Sequence, residues 1–180
     1  MSRRLVAAVA FAVAPAMLLS GCGAWQAVSD GTSNAIRAVF YRQVKVLNVD
    51  LAAREALNAD DAGRSTSVAV RVYQLKDRKA FDGASYDDLV KNDKTVLSQD
   101  LNSNMAAVLN PGASASLSEP MQKSTLYVAV IALYRVPGTD GGWKRVIEKK
   151  ELDADKPLKL DLVANQVQTA GDVSGQTATK

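Results

Sequence analysis

The sequence predicts a mainly β domain, a sandwich of two sheets with short helical insertions. Three observations carry that expectation. The run STSVAVRVYQLKD alternates apolar and polar side chains with the period of two that a strand imposes. TLYVAVIALYRV, residues 125–136, is apolar on both faces, as a central strand requires. Clusters rich in Asn, Asp, Gly, Pro and Ser separate such runs at short intervals and supply turns. Pattern alone leaves a closed barrel open as another way of burying the same faces. With 180 residues, 47% of them apolar, the chain supports one ordinary core.

The N-terminus reads differently. Ser2, Arg3 and Arg4 precede an almost wholly apolar stretch from Leu5 to Leu19, broken only by Pro15. This is the layout of a secretory signal, and it falls short of the roughly 20 apolar residues a transmembrane helix needs. Leu19, Ser20, Gly21 and Cys22 close the stretch and look like a bacterial lipobox, in which the cysteine thiol receives a diglyceride and the leader is cut just before it. Cys22 is the only cysteine, so it forms no intramolecular disulfide and its thiol is assigned to lipid attachment. Gly23 follows where an aspartate often retains lipoproteins at the inner membrane, which points to the outer membrane. The expected organisation is a signal peptide over 1–21, a lipidated tether with a short helix over 22–43, a sandwich domain over 44–167 and a disordered tail over 168–180.

Within the tether, Trp25, Val28, Ile36, Val39 and Phe40 suit a short amphipathic helix, with Asp30 to Ser33 as a break or new cap. Val44, Val46, Val49 and Leu51 open the first strand. NADDAGRS, residues 58–65, is a polar connection to the next strand. There Val68, Val70, Val72 and Gln74 face one way and Ala69, Arg71, Tyr73 and Leu75 the other. The segment from Phe81 to Ser114 changes character and is read as short helices, with Ser85 as a cap and Asp88 completing a capping box. Asn110, Pro111 and Gly112 make a turn, and ASASLSEP a short strand. After the central strand, Gly138 to Gly142 connect to an edge strand in WKRVIEKKEL. Leu158, Leu160 and Leu162 alternate in a last strand, and from Thr169 the tail has nothing to bury.

Composition narrows the chemistry. The net charge is +3 and falls to +1 once Arg3 and Arg4 leave with the leader, too balanced for a nucleic-acid binder. Histidine is absent, which removes the commonest general base and metal ligand. No glycine-rich phosphate loop, nucleophile elbow or zinc spacing occurs, so no catalytic residue, metal site or cofactor is assigned. Asn58, Asp60, Asp61 and Gly63 faintly suggest a calcium loop, but Ala69 stands where the bidentate Glu belongs, and a solvated turn is the better reading.

Four segments together resemble one family: LSGC ending at Cys22, SVAVRVYQLKDRKAFDGASYDDLVKND at 67–93, VLNPGASASL at 108–117, and YVAVIALYR before GGWKR. They are similar to the type VI secretion system lipoproteins, the TssJ (SciN) family, with the likeness running roughly from Val44 to Val163. The resemblance implies a transthyretin-like sandwich tethered to the periplasmic face of the outer membrane. It also implies a structural subunit that binds the periplasmic domain of the IcmF-like (TssM) inner-membrane protein and has no catalytic role. In that family the connection between the first two strands contributes to partner binding, which here assigns Asn58, Asp60, Asp61, Gly63 and Arg64. Two other functions remain open at this stage: a lipid-anchored carrier of a small ligand, marked by a buried polar cluster in an apolar cavity, and, ranked last, a peptidoglycan-processing enzyme.

Overall fold

The structure, a computed structural model, describes residues 43–170. The signal segment, Cys22, the tether helix and the tail from residue 171 lie outside the described residues. Eight strands form two four-stranded sheets: β1 (Val46–Leu57), β2 (Val68–Leu75), β3 (Leu101–Leu109), β4 (Ser114–Pro120), β5 (Tyr127–Leu133), β6 (Lys144–Glu148), β7 (Leu158–Ala164) and β8 (Gln166–Thr169). One sheet runs β4-β1-β7-β8 and the other β3-β2-β5-β6. Every pairing is antiparallel except β1 with β7, which is parallel. The expected two-sheet sandwich is what forms.

Period-two patterning builds the core. Leu47, Val49, Leu51 and Ala53 of β1 are buried, as are Leu160 and Leu162 of β7, while their neighbours along each strand are more exposed. Val46 therefore points outward, 43% exposed, so the first strand's inward register starts at Leu47. The opposing sheet contributes Val68, Val70 and Val72 of β2 with Val128, Val130 and Ala132 of β5. Strand β5 is buried on both faces because a second layer covers the outer side of its sheet. That layer is α1 (Lys79–Gly83) and α2 (Tyr86–Val96), which bury Phe81 and Leu89.

The helices are held by specific bonds. Ser85 caps α2 and Asp88 completes the capping box, as the sequence predicts. Arg71, on the outer face of β2, donates to the Leu89 carbonyl at 3.0 Å and pairs with Asp93 at 3.1 Å; the Tyr73 hydroxyl donates to the same carboxylate at 2.9 Å. Burial pushes the Tyr73 phenol well above its ordinary pKa, so it stays a donor. Lys144 Nζ, on β6, donates to the carbonyls of Phe81, Asp82 and Ala84 at the end of α1.

Two expectations are corrected. Residues 101–109 form β3 and not a continuation of the helices: Met105, Ala107 and Leu109 pair against Val72, Val70 and Val68, and this partner outweighs the weak strand propensity of LNSNMAAVL. The strand at Leu158 is not the last, because β8 follows through a tight turn at Ala164, so Gln168 and Thr169 belong to the sheet and not to a tail. The polar connection 58–67 joins strands that lie in different sheets and so crosses the sandwich.

Candidate partner-binding loop

The polar connection between β1 and β2 sits at one end of the sandwich, together with the β5–β6 loop and the β7–β8 turn. Its root is Asn58, buried to 4% exposure and left-handed at φ 47°, a conformation asparagine tolerates better than other residues with a Cβ. Its side-chain amide donates to the Ser67 carbonyl at 2.7 Å and accepts from the Arg135 backbone N–H at 2.7 Å. Its own N–H donates to Ala164 O at 3.2 Å, and its carbonyl accepts from the Thr66 hydroxyl at 2.6 Å. One residue thus ties three neighbouring segments together.

Above that root, Asp60 N–H donates to Arg64 O and Gly63 N–H to Asp60 O, both at 2.9 Å. Gly63 lies at φ +76°, the left-handed residue that closes the tight turn from Asp60 before Arg64. The Asp60 carboxylate turns inward: Oδ1 accepts from the N–H groups of Ala62 and Arg64, and Oδ2 from the Arg64 guanidinium at 2.8 Å. These bonds, the Arg64 backbone N–H first among them, hold its carboxyl below the ordinary carboxylate pKa. Donors occupy the oxygens that a calcium ion would need, so the loop is not built as a cation site.

Asp61 is different. Its side chain is 99% exposed, with Arg135 at 3.7 Å as its ion-pair partner. Arg64 is also well exposed beyond its bond to Asp60. Of the five residues read from sequence, Asn58, Asp60 and Gly63 build the loop, whereas Asp61 and Arg64 are presented to solvent. Sequence reasoning missed Arg135 and its exposed neighbour Val136, which the fold brings beside the loop from 77 positions away. No sequence signal links them, because the contact exists only once β5 ends next to β1.

Buried polar groups elsewhere are satisfied. Gln74 donates to Pro120 O and accepts from Gln122 N–H and the Thr125 hydroxyl, which makes the cluster a clasp between the sheets and leaves it nothing to offer a ligand. Among the described residues, no helix is long and apolar enough to cross a membrane, and no group of three or more Cys, Asp or Glu could hold a metal.

A family model described as type VI secretion lipoprotein (VasD, EvfM, TssJ) matches residues 45–165. Among solved structures, a chain of a type VI membrane complex is 34% identical with a TM-score of 0.67, covering 71% of this chain and 98% of its own. A chain in a structure described as the type VI secretion protein TssM C-terminal domain from EAEC is 31% identical, with a TM-score of 0.63 and coverage of 70% and 98%. The type VI lipoprotein TssJ1 from Pseudomonas aeruginosa is 26% identical at a TM-score of 0.58, over 69% and 93%. No curated protein sequence matches significantly.

Proposed function

The chain belongs to the type VI secretion lipoprotein family, and from that premise we propose that it is the outer-membrane lipoprotein subunit of the secretion membrane complex, a structural tether for the periplasmic domain of the IcmF-like (TssM) inner-membrane subunit. Acyl chains on Cys22 hold it in the membrane: a single chain anchors marginally at about 0.8 kcal/mol per buried methylene, whereas several anchor stably. Its role is mechanical attachment and not catalysis.

The observation that carries this reading is the placement of the two ends of β1. The described chain enters at residue 43, where Met121 N–H bonds Lys45 O, and the polar loop leaves the opposite end of β1 at Asn58. Twelve strand residues separate the two by roughly 36 Å. The 21 residues between Cys22 and the domain could reach at most about 70 Å. A domain tethered through its N-terminal end carries the loop at the other end of β1, where a partner rising from the inner membrane can meet it. Asp61 and Arg64 supply charged groups that register that partner, on a loop made rigid by Asn58 and Asp60.

Two experiments test this. Cys22→Ser is expected to release the protein from outer-membrane fractions and abolish secretion with the domain still folded; normal fractionation would end the acylation assignment. Asp61→Lys is expected to weaken pull-down of the partner's periplasmic domain with no change in melting temperature, and unchanged affinity would end the loop assignment. Asp60 is the poorer probe, since replacing it collapses the tip that displays Asp61.

A further inference from the structure

We propose that the end of the sandwich where the chain enters is a second membrane contact: Lys45, Lys76, Lys123 and Lys149, set around the exposed Leu126, seat the domain on anionic phospholipid headgroups. The inference rests on the reading of the chain as a membrane-anchored lipoprotein and deepens it by naming how the domain meets the leaflet that holds it.

Main-chain bonds gather the four lysines about the β4–β5 connection, residues 121–126. Met121 N–H bonds Lys45 O at 2.9 Å, Leu126 N–H bonds Leu75 O, one residue before Lys76, at 2.9 Å, and Lys149 N–H bonds Leu126 O at 2.8 Å. Lys123 lies within the connection itself. The platform is stiff, because Gln74 Oε1 accepts from the Gln122 N–H at 2.8 Å and from the buried Thr125 hydroxyl at 3.1 Å. It holds Leu126 58% exposed.

The charges there are uncommitted. Among the described residues none of the four lysines has an ion pair; Lys76 and Lys149 reach only the carbonyls of Gln99 and Gln122, both at 3.4 Å. Asp77 and Asp100 adjoin Lys76, which leaves the ring a surplus of two positive charges. The β6–β7 connection at the same end is different: Glu148 holds Lys150 at 2.6 Å and Asp153 holds Lys156 at 3.4 Å, with Glu151 and Asp155 in the same stretch. The positive half is therefore the half beside the chain's entry. At the opposite end the connections 58–67, 110–113 and 134–143 contain no lysine.

A lipid surface matches this chemistry. Lysine stems lie along apolar surface with their ammonium groups at the phosphates, and a leucine between them enters the headgroup boundary. The tether from Cys22 joins the domain at this end and reaches at most about 70 Å, so it keeps the ring close to the leaflet and a weak contact is populated. With the ring seated, the loop at Asn58 stands off the membrane by the length of β1.

The test uses the full acylated chain carrying Ser124→Cys, labelled there with an environment-sensitive dye, in nanodiscs of phosphatidylcholine with or without phosphatidylglycerol. Acylation blocks Cys22, the only native cysteine, so the dye marks the connection alone. A blue shift and slower acrylamide quenching are expected with phosphatidylglycerol and not without it, and about 0.5 M salt should erase both. Lys45→Glu and Lys123→Glu should each lower the ratio of seated to lifted domain about fivefold, with melting temperature and disc incorporation unchanged. Equal spectra in both discs, or spectra indifferent to both substitutions, would overturn the proposal. So would a shift that needs the periplasmic domain of the IcmF-like subunit, or one that grows with chain density in neutral discs, because the ring would then meet a protein or a second copy. A chain that takes dye at Cys22 and stays out of the discs would end the acylation assignment first, and the seating with it.

Discussion

The two connections that leave β2 have opposite fates. The one toward β3, residues 76–100, carries Phe81, Leu89 and Leu97, all fully buried, and folds down over the sheet as a second layer. The one from β1, residues 58–67, buries Asn58 alone and stands off the end of the sandwich with its tip in water. Both use the same local device, a carboxylate accepting backbone N–H groups, Asp88 at Ser85 and Asp60 at Ala62 and Arg64. Apolar content separates them. A connection with side chains to bury becomes scaffold, and one without them stays available to a partner.

The largest break in that contrast is expected at the covered connection. Phe81→Ala removes a fully buried ring that packs edge-on against Tyr73 at 6.2 Å, and should cost about 3–5 kcal/mol by chemical denaturation while leaving the partner's affinity for the folded fraction unchanged. Asn58→Ala strands the Ser67 carbonyl and the Arg135 N–H, for about 2–3 kcal/mol. It should also weaken partner binding, because the exposed tip loses its root; stability and affinity falling together would set it apart from Phe81→Ala.

The smallest effect is a titration. Asp60 and Asp88 are both held below the ordinary carboxylate pKa, Asp60 chiefly by the Arg64 backbone N–H and Asp88 chiefly by the Ser85 side chain. A depressed folded pKa stabilises above the unfolded value and is lost as pH falls through the folded one. Both connections should therefore keep their order at neutral pH and loosen only in acid below the ordinary carboxylate range. Amide resonances of Ala62, Arg64 and Ser85 followed in acid would show it, and loss of those signals at neutral pH would contradict it.

Much of the scaffold was legible in order. The β2 alternation, the two-faced β5, the edge position of β6 and the capping box at Ser85 all follow from local pattern. Strand β3 was missed because its inward positions Ser103, Met105 and Ala107 are small or flexible and only Leu109 is a fully buried apolar side chain, so the alternation is faint until Gln74, Val72, Val70 and Val68 face them. The polar loop was found as a turn-rich segment, but its five residues could not be sorted. Asp60 and Asp61 are adjacent and chemically identical in sequence, yet one folds inward onto Arg64 and the other projects toward Arg135.

By itself the sequence determined what each segment wants to do, because alternation, capping and turn chemistry are local and act within a few residues. Only the tertiary structure decided which strands share a sheet, that β1 runs parallel to β7, and that Asn58, Arg135 and Ala164 meet at one end. Those choices depend on burying two valine-rich faces against each other, a condition set by the whole chain that no single stretch of it records.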